Sequence, residues 1–219
     1  MLKLKSVNPY DRYEKDIAKS RVKSFLADNP NPAIRQRLEL EVDKAFDKGL
    51  ALYVEDGGEV CGCSLIYDLS NEGDYRFSYQ ELGTMRIVKN GLGLQEMLAQ
   101  IHLFQFLLDG GHPDQVTIFA VVSPHSPSEH VLRDNLVMKS WNPVQDLMDL
   151  RARSGCPFNP DKQVLRADVN CWSNSQHFLK KLHKHDYIFS CPKGDTDIEF
   201  DISWFHPCQL DADILIQES

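Results

Sequence analysis

The sequence predicts a mixed α/β (α+β) fold, a mostly antiparallel sheet with helices on both faces, organised around one strand, glycine turn, helix, strand unit. Three observations predict it. An alternating apolar run from Phe77 to Val88 reads as a strand, and Gly91-Leu92-Gly93 follows it as a tight turn. Leu94, Met97, Leu98, Ile101, Phe104 and Leu108 then form one helical stripe ended by Gly110-Gly111. Finally, Val116 to Val122 is a dense β-branched run, suited to a strand buried on both faces, and after a single helix it returns parallel to the first strand.

The other elements follow in chain order. Leu2 to Val7 alternates apolar and polar residues and reads as a strand broken by Asn8-Pro9. Tyr10 to Leu26 and Ala33 to Phe46 carry helical spacing, the second through Ile34, Leu38, Val42 and Phe46, with Gly49 as its stop. Leu50 to Val54 and Val60 to Tyr67 are strands joined by Glu55-Asp56-Gly57-Gly58, whose glycines suit a hairpin turn, and Tyr75 to Val88 completes a three-strand antiparallel meander. After Val122, Ser128 begins a short helix with Val131, Leu132 and Leu136 on its apolar side. Val144 to Arg151 reads as a strand, and loop signals place a boundary near 151–162. Val164 to Val169 is then a strand and Ser175 to His183 a helix, with Tyr187 to Ser190 and Ile198 to Trp204 as a hairpin around Pro192-Lys193-Gly194-Asp195.

Composition narrows the function. With 219 residues, 42% of them hydrophobic, the chain can bury a full core. No apolar stretch approaches the roughly 20 residues that span a membrane, and Met1-Leu2-Lys3-Leu4-Lys5 lacks the apolar core of a secretory signal, so a soluble, cytoplasmic protein is expected. The net charge of −8 argues against a nucleic-acid partner and suits a cationic small substrate. Six cysteines without a disulfide framework read as free thiols. Neither Cys61-Gly62-Cys63 nor His183-Lys184-His185 supplies the paired Cys-x-x-Cys spacing of a zinc site, so no metal is expected.

The glycine turn carries the candidate chemistry. The first N–H groups of a helix have no intrahelical partner and carry partial positive charge, so a phosphate placed there meets ready donors. The dipole is worth only about 0.3–1 kcal/mol per exposed charge, so several N–H groups must act together.

The stretch Tyr79-Gln80-Glu81-Leu82-Gly83-Thr84-Met85-Arg86-Ile87-Val88-Lys89-Asn90-Gly91-Leu92-Gly93-Leu94, with the strand and Ser-rich turn ending in Val131-Leu132, resembles the GNAT superfamily of acyl-coenzyme-A-dependent N-acyltransferases. The resemblance covers residues 1–150, and residues 151–219 are a C-terminal strand-helix-hairpin extension packing on or completing the same domain. It implies an N-acyltransferase, acetyl transfer first, that moves an acyl group from acyl-coenzyme A to a primary amine of a small molecule or protein. The co-substrate is acetyl-coenzyme A or another acyl-coenzyme A, with an amine acceptor, no metal, no nucleic acid, no membrane, and a homodimer allowed. The family's pyrophosphate loop, Gln/Arg-x-x-Gly-x-Gly/Ala, matches Val88-Lys89-Asn90-Gly91-Leu92-Gly93, with Val88 at the Gln/Arg position; Ile87 and Leu94 flank it. The family splays its fourth and fifth strands around the pantetheine arm, which here implies Met85 to Val88 against Thr117 to Val121. Glu81 stands where many relatives carry the base that deprotonates the amine, a task that contributes about 10²–10⁴-fold. Leu132 takes the place of the usual tyrosine that protonates the leaving thiolate, leaving His125 and Ser128 as candidates. A GNAT-like domain that binds acyl-coenzyme A or a partner with little catalysis is the alternative; an acyl-homoserine-lactone synthase is a third, although residues 1–35 lack that family's basic and aromatic N-terminal region.

Overall fold

In the computed structural model, residues 1–29, 41–69, 78–108, 116–153, 157–168, 170–171, 174 and 188–201 are described. The expected helix from Ser175 to His183 lies outside them, as do residues 33–40, 75–77, 169, 187 and 202–204 of other expected elements. The fold is mixed α/β and mostly antiparallel, and the chain divides into two compact units. Met1–Leu65, Met85–Leu94 and His177–Ser219 make the first; Ile66–Thr84 and Gln95–Gln176 make the second.

In the first unit, β1 (Leu2–Ser6), β2 (Ala51–Asp56), the first part of β3 (Glu59–Asp68), β8 (Ile188–Ser190) and β9 (Asp197–Asp201) stand in the order β3-β2-β1-β9-β8. The alternation of β1 buries Leu2, Leu4 and Ser6 and leaves Lys3 exposed, whereas Ala51, Leu52, Tyr53 and Val54 of β2 are all buried. Full burial of each such aliphatic side chain contributes about 1.5–3 kcal/mol relative to leaving it in water. Gly57 and Gly58 both have positive φ, +59° and +91°, as the two-residue turn joining β2 to β3 requires. The C-terminal hairpin β8–β9 pairs with this sheet through β9, which runs parallel to β1 from Leu2↔Ile198 to Lys5↔Asp201. Helix α1 (Arg12–Ala27) starts on Asp11, whose carboxylate accepts from the Glu14 N–H at 3.0 Å, and buries Ala18, Val22 and Leu26. Its lysines meet the helix at residues 41–47 (α2): Lys15 and Lys19 pair with Asp47, and Lys23 with Asp43.

In the second unit, the first part of β4 (Ser78–Ile87), β5 (Val116–Val122), β6 (Lys139–Ser140) and β7 (Gln163–Arg166) stand in the order β6-β7-β5-β4. The expected parallel return is present: β4 and β5 pair in parallel, and α3 (Leu94–Leu108) connects them in sequence, burying Met97, Leu98 and Ile101. Beyond β5, Ser126 caps the next helix, its Oγ accepting from the Glu129 N–H, so α4 (Pro127–His130) begins one residue before Ser128. It continues into a π-turn over Val131–Asn135, and Val137 follows with φ 61°, an uncommon backbone for a β-branched residue.

Two expectations are corrected. Val144 to Arg151 is not a strand: α5 (Gln145–Arg153) covers it, burying Leu147 and Arg151. Those two residues are four apart, and the apolar positions 144, 147 and 148 recur with helical period; Asn142-Pro143 before them is a helix start. The strand register also differs. Among the described residues the β4–β5 ladder runs from Ser78↔Val116 to Glu81↔Phe119, so Thr117 to Phe119 stand opposite Tyr79 to Glu81, not Met85 to Val88. Periodicity locates a strand in sequence and leaves its offset from a neighbour open.

Candidate functional site

The turn between β4 and α3 has two glycines with different surroundings. Gly91 has φ +85° and open space on its Cβ side; Gly93 has φ +73°, and a Cβ there would come 2.8 Å from the Cβ of Pro192. Pro192 belongs to the β8–β9 turn, whose Lys193 N–H donates to the Leu92 carbonyl at 3.2 Å. The tip of the C-terminal hairpin therefore rests on the second half of the glycine turn. Gly91 and Asn90 are exposed, while Leu92 is half-buried and Leu94 buried at the start of α3.

Upstream, Ile87 lies against Gly62 of β3, and the Val88 N–H donates to the Cys61 carbonyl at 3.0 Å with the Val88 side chain exposed. Lys89 is ion-paired with Asp56, which raises the lysine's pKa and lowers that of the aspartate, so its charge is already met within the protein. An anion at this turn would rely on backbone N–H groups at the exposed Gly91 side, whose open face admits the close approach that such a ligand needs. Glu96, in the first turn of α3, accepts from Asn135 Nδ2 at 2.7 Å.

Glu81 stands on the last paired rung of β4, opposite Phe119. It is 5% exposed and forms an ion pair with Arg151 of α5, itself 3% exposed. The Arg151 guanidinium also lies 4.5 Å over the Phe158 ring, whose centroid is 6.1 Å from that of Phe119. After this rung β4 continues to Ile87 and β5 to Val122, but among the described residues the two share no further ladder pairs. β5 instead keeps its other neighbour, pairing Ala120, Val121 and Val122 with Leu165, Val164 and Gln163 of β7. Gly83, just past the rung, admits the Tyr67 ring, whose Cε2 would lie 2.1 Å from a Cβ at that position.

At the end of β5, His125 is exposed, with φ 60°, and its backbone N–H donates to the Glu129 carboxylate. Ser128 is half-buried, and its Oγ accepts from Gln95 Nε2 of α3 at 2.8 Å, which leaves the hydroxyl proton available to donate elsewhere. Leu132 is buried within the π-turn. The three expected catalytic residues thus take different partners: Arg151 for Glu81, Gln95 for Ser128, Glu129 for the His125 amide. Arg151, Gln95 and Pro192 were not foreseen from sequence. The only signal for Arg151 was its place four residues after Leu147.

Among the described residues the cysteines Cys61, Cys63, Cys171 and Cys191 are all buried, which disfavours thiolate chemistry. Cys61 and Cys63 share a buried face of β3, and burial pushes the Cys63 thiol up to about 12 and raises that of Cys61. Among the described residues no three His, Cys, Asp or Glu side chains converge as a metal site, and no helix is long and apolar enough to cross a membrane.

No family model and no curated protein matches the sequence. Solved structures do resemble the chain. Naa50 of Arabidopsis thaliana, determined with the bisubstrate analogue CoA-Ac-MVNAL, is 10% identical, with a TM-score of 0.48 over 77% of this chain and 99% of that one. An acetyltransferase of Agrobacterium tumefaciens is 14% identical, with a TM-score of 0.45 over 76% and 90%. An acyl-CoA N-acyltransferase of Pseudomonas aeruginosa is 10% identical, with a TM-score of 0.45 over 77% and 100%. Acetyltransferases of the GNAT family stand among the similar structures.

Proposed function

We propose that the protein is an acyl-coenzyme-A-dependent N-acyltransferase, acetyl-coenzyme A being the first co-substrate to test and a primary amine of a small molecule or protein the acceptor. The observation that carries this reading is the parallel β4–β5 pair that parts after Glu81↔Phe119, on the strand that leads into the Gly91-Leu92-Gly93 turn and α3. In the second unit, the backbone edges at Leu82–Thr84 and Ala120–Val122, which share no ladder pair, suit the amides of a pantetheine arm; in the first, the exposed Gly91 side of the turn suits a phosphate.

In the reaction, the ammonium of the acceptor loses a proton, the free amine attacks the thioester carbonyl, and the tetrahedral adduct collapses with cleavage of the C–S bond, the second nitrogen proton passing to the departing sulphur to leave an amide and coenzyme A thiol. Glu81 is the proposed acceptor of the ammonium proton, directly or through water. Ser128, whose oxygen is already engaged by Gln95, is the proposed hydrogen-bond donor to the departing sulphur, with His125 as the exposed alternative.

A binding module with little catalysis is the second reading, favoured by one observation: Glu81 already has a guanidinium partner. Two measurements separate the readings. Coenzyme A at about 100 times its dissociation constant adds roughly 2.7 kcal/mol of stability, so a thermal shift is expected under both, and its absence at millimolar ligand refutes both. Thiol release from acetyl-coenzyme A with some member of an amine panel supports the enzyme; binding without release across the panel supports the module.

A further inference from the structure

We propose that Arg151 is a positioning residue for the acyl-bearing arm of the coenzyme: acting through Glu81, it fixes the rung at which β4 and β5 part. This rests on the coenzyme reading of the strand opening. Glu81 and Phe119 are register partners in parallel strands, so their side chains leave the sheet on the same face. On that face α5 and the segment after it supply a closed circuit. The guanidinium is paired with Glu81 and stacked at 4.5 Å on Phe158, and Phe158 lies 6.1 Å from Phe119, which in turn lies 6.1 Å from Trp141. Both strands are thereby clamped at one rung, and the ladder ends at that rung.

Stability alone is a weak reason for such a pair, because a buried ion pair can often be replaced by apolar residues of similar volume without loss. Geometry is a better one. The planar fork of arginine fixes the orientation of a carboxylate, and its stacking on an aromatic face fixes the fork. With the rung held, β5 stays with β7 while its ladder to β4 ends, and the edges at Leu82–Thr84 and Ala120–Val122 are held in place for a bound arm.

The test is isothermal titration of wild type, Arg151→Lys and Arg151→Met with coenzyme A, acetyl-coenzyme A and adenosine 3′,5′-bisphosphate, which carries phosphates but no pantetheine. Arg151→Met is expected to weaken both coenzymes about tenfold. The bisphosphate should change by less than about twofold, as for an uncoupled site. Arg151→Lys, which keeps the charge and loses the fork, should recover only part of the loss. If Arg151→Met does not fold, the double variant Glu81→Leu/Arg151→Met, which strands neither charge, is expected to fold and show the same split. Equal loss for all three ligands, or no loss for any, overturns the proposal while leaving the coenzyme reading in place. A wild type that binds no coenzyme overturns both.

Discussion

The two glycines of the β4–α3 turn should respond differently to the same substitution. At Gly91, φ is +85° and a Cβ meets nothing within 4 Å, so Gly91→Ala carries only the left-handed backbone cost. That cost is about 1–2 kcal/mol. The stiffer unfolded chain offsets roughly 0.4–1 kcal/mol of it, leaving a net loss near 1 kcal/mol. At Gly93 the same strain applies, at φ +73°, and the new Cβ also lies 2.8 Å from Pro192, a contact that requires the hairpin tip to move. Overpacking of this kind adds about 1–3 kcal/mol, so Gly93→Ala should cost roughly 2–4 kcal/mol in all. Urea unfolding at one temperature and pH reads both. Coenzyme A titration then separates ligand from scaffold: Gly91→Ala, whose methyl occupies the open face, should lose affinity while its fold persists. Equal destabilisation by the two variants would refute the hairpin contact, and full coenzyme affinity in a folded Gly91→Ala protein would refute the turn as the phosphate site.

Three further outcomes are expected. Removing one partner of the Glu81–Arg151 pair leaves a buried charge, so Glu81→Leu or Arg151→Met alone should cost about 3–5 kcal/mol in urea unfolding, while the double variant should be more stable than either single one; additive losses would contradict the pairing. If Ser128 donates to the leaving thiolate, Ser128→Ala should lower kcat for thiol release by about 10²–10⁴-fold with acetyl-coenzyme A affinity nearly unchanged, a split visible in steady-state kinetics. The Cys63 thiol, pushed up to about 12 by burial, favours the neutral form in the folded state, so its contribution is complete below pH 9, where an unfolded thiol is still protonated, and is lost as pH rises towards 12. Stability should then fall by about 1.4 kcal/mol per pH unit for this group between pH 9 and 11, and Cys63→Ala should flatten that slope relative to wild type.

Local pattern made the central unit legible. The alternation before Val88, the stripe after Gly93 and the β-branched run from Val116 each follow one physical period, and β4, α3 and β5 stand where those periods placed them. The hairpin around Pro192 to Asp195 was legible for the same reason, but its neighbour was not: parallel pairing of β9 with β1 joins residues nearly the whole chain apart, and nothing in either strand's composition names the other. The register of β4 against β5 was hidden likewise, since pairing offset depends on contacts outside both strands. Arg151 was missed through a wrong period. With Val144 to Arg151 taken as a strand, its side chain has no defined face; on α5, four residues after Leu147, it shares that residue's buried face.

The structure also redistributes the charge that the sequence offered to a ligand. Lys89, the cation nearest the glycines in sequence, is spent on Asp56, and the Val88 N–H is spent on Cys61. The Val88 side chain beside them is exposed and apolar. An anion at the proposed site would therefore rely on backbone donors, and the helix-terminus field is worth only about 0.3–1 kcal/mol per exposed charge, so several donors must point to one place. Such a site depends on backbone shape more than on any side chain, and shape is what the hairpin supplies by seating Pro192 on Gly93 and donating Lys193 N–H to Leu92. Gly91 leaves room for a ligand; Gly93 leaves room for the protein's own C-terminal hairpin, and the second condition holds the first in place.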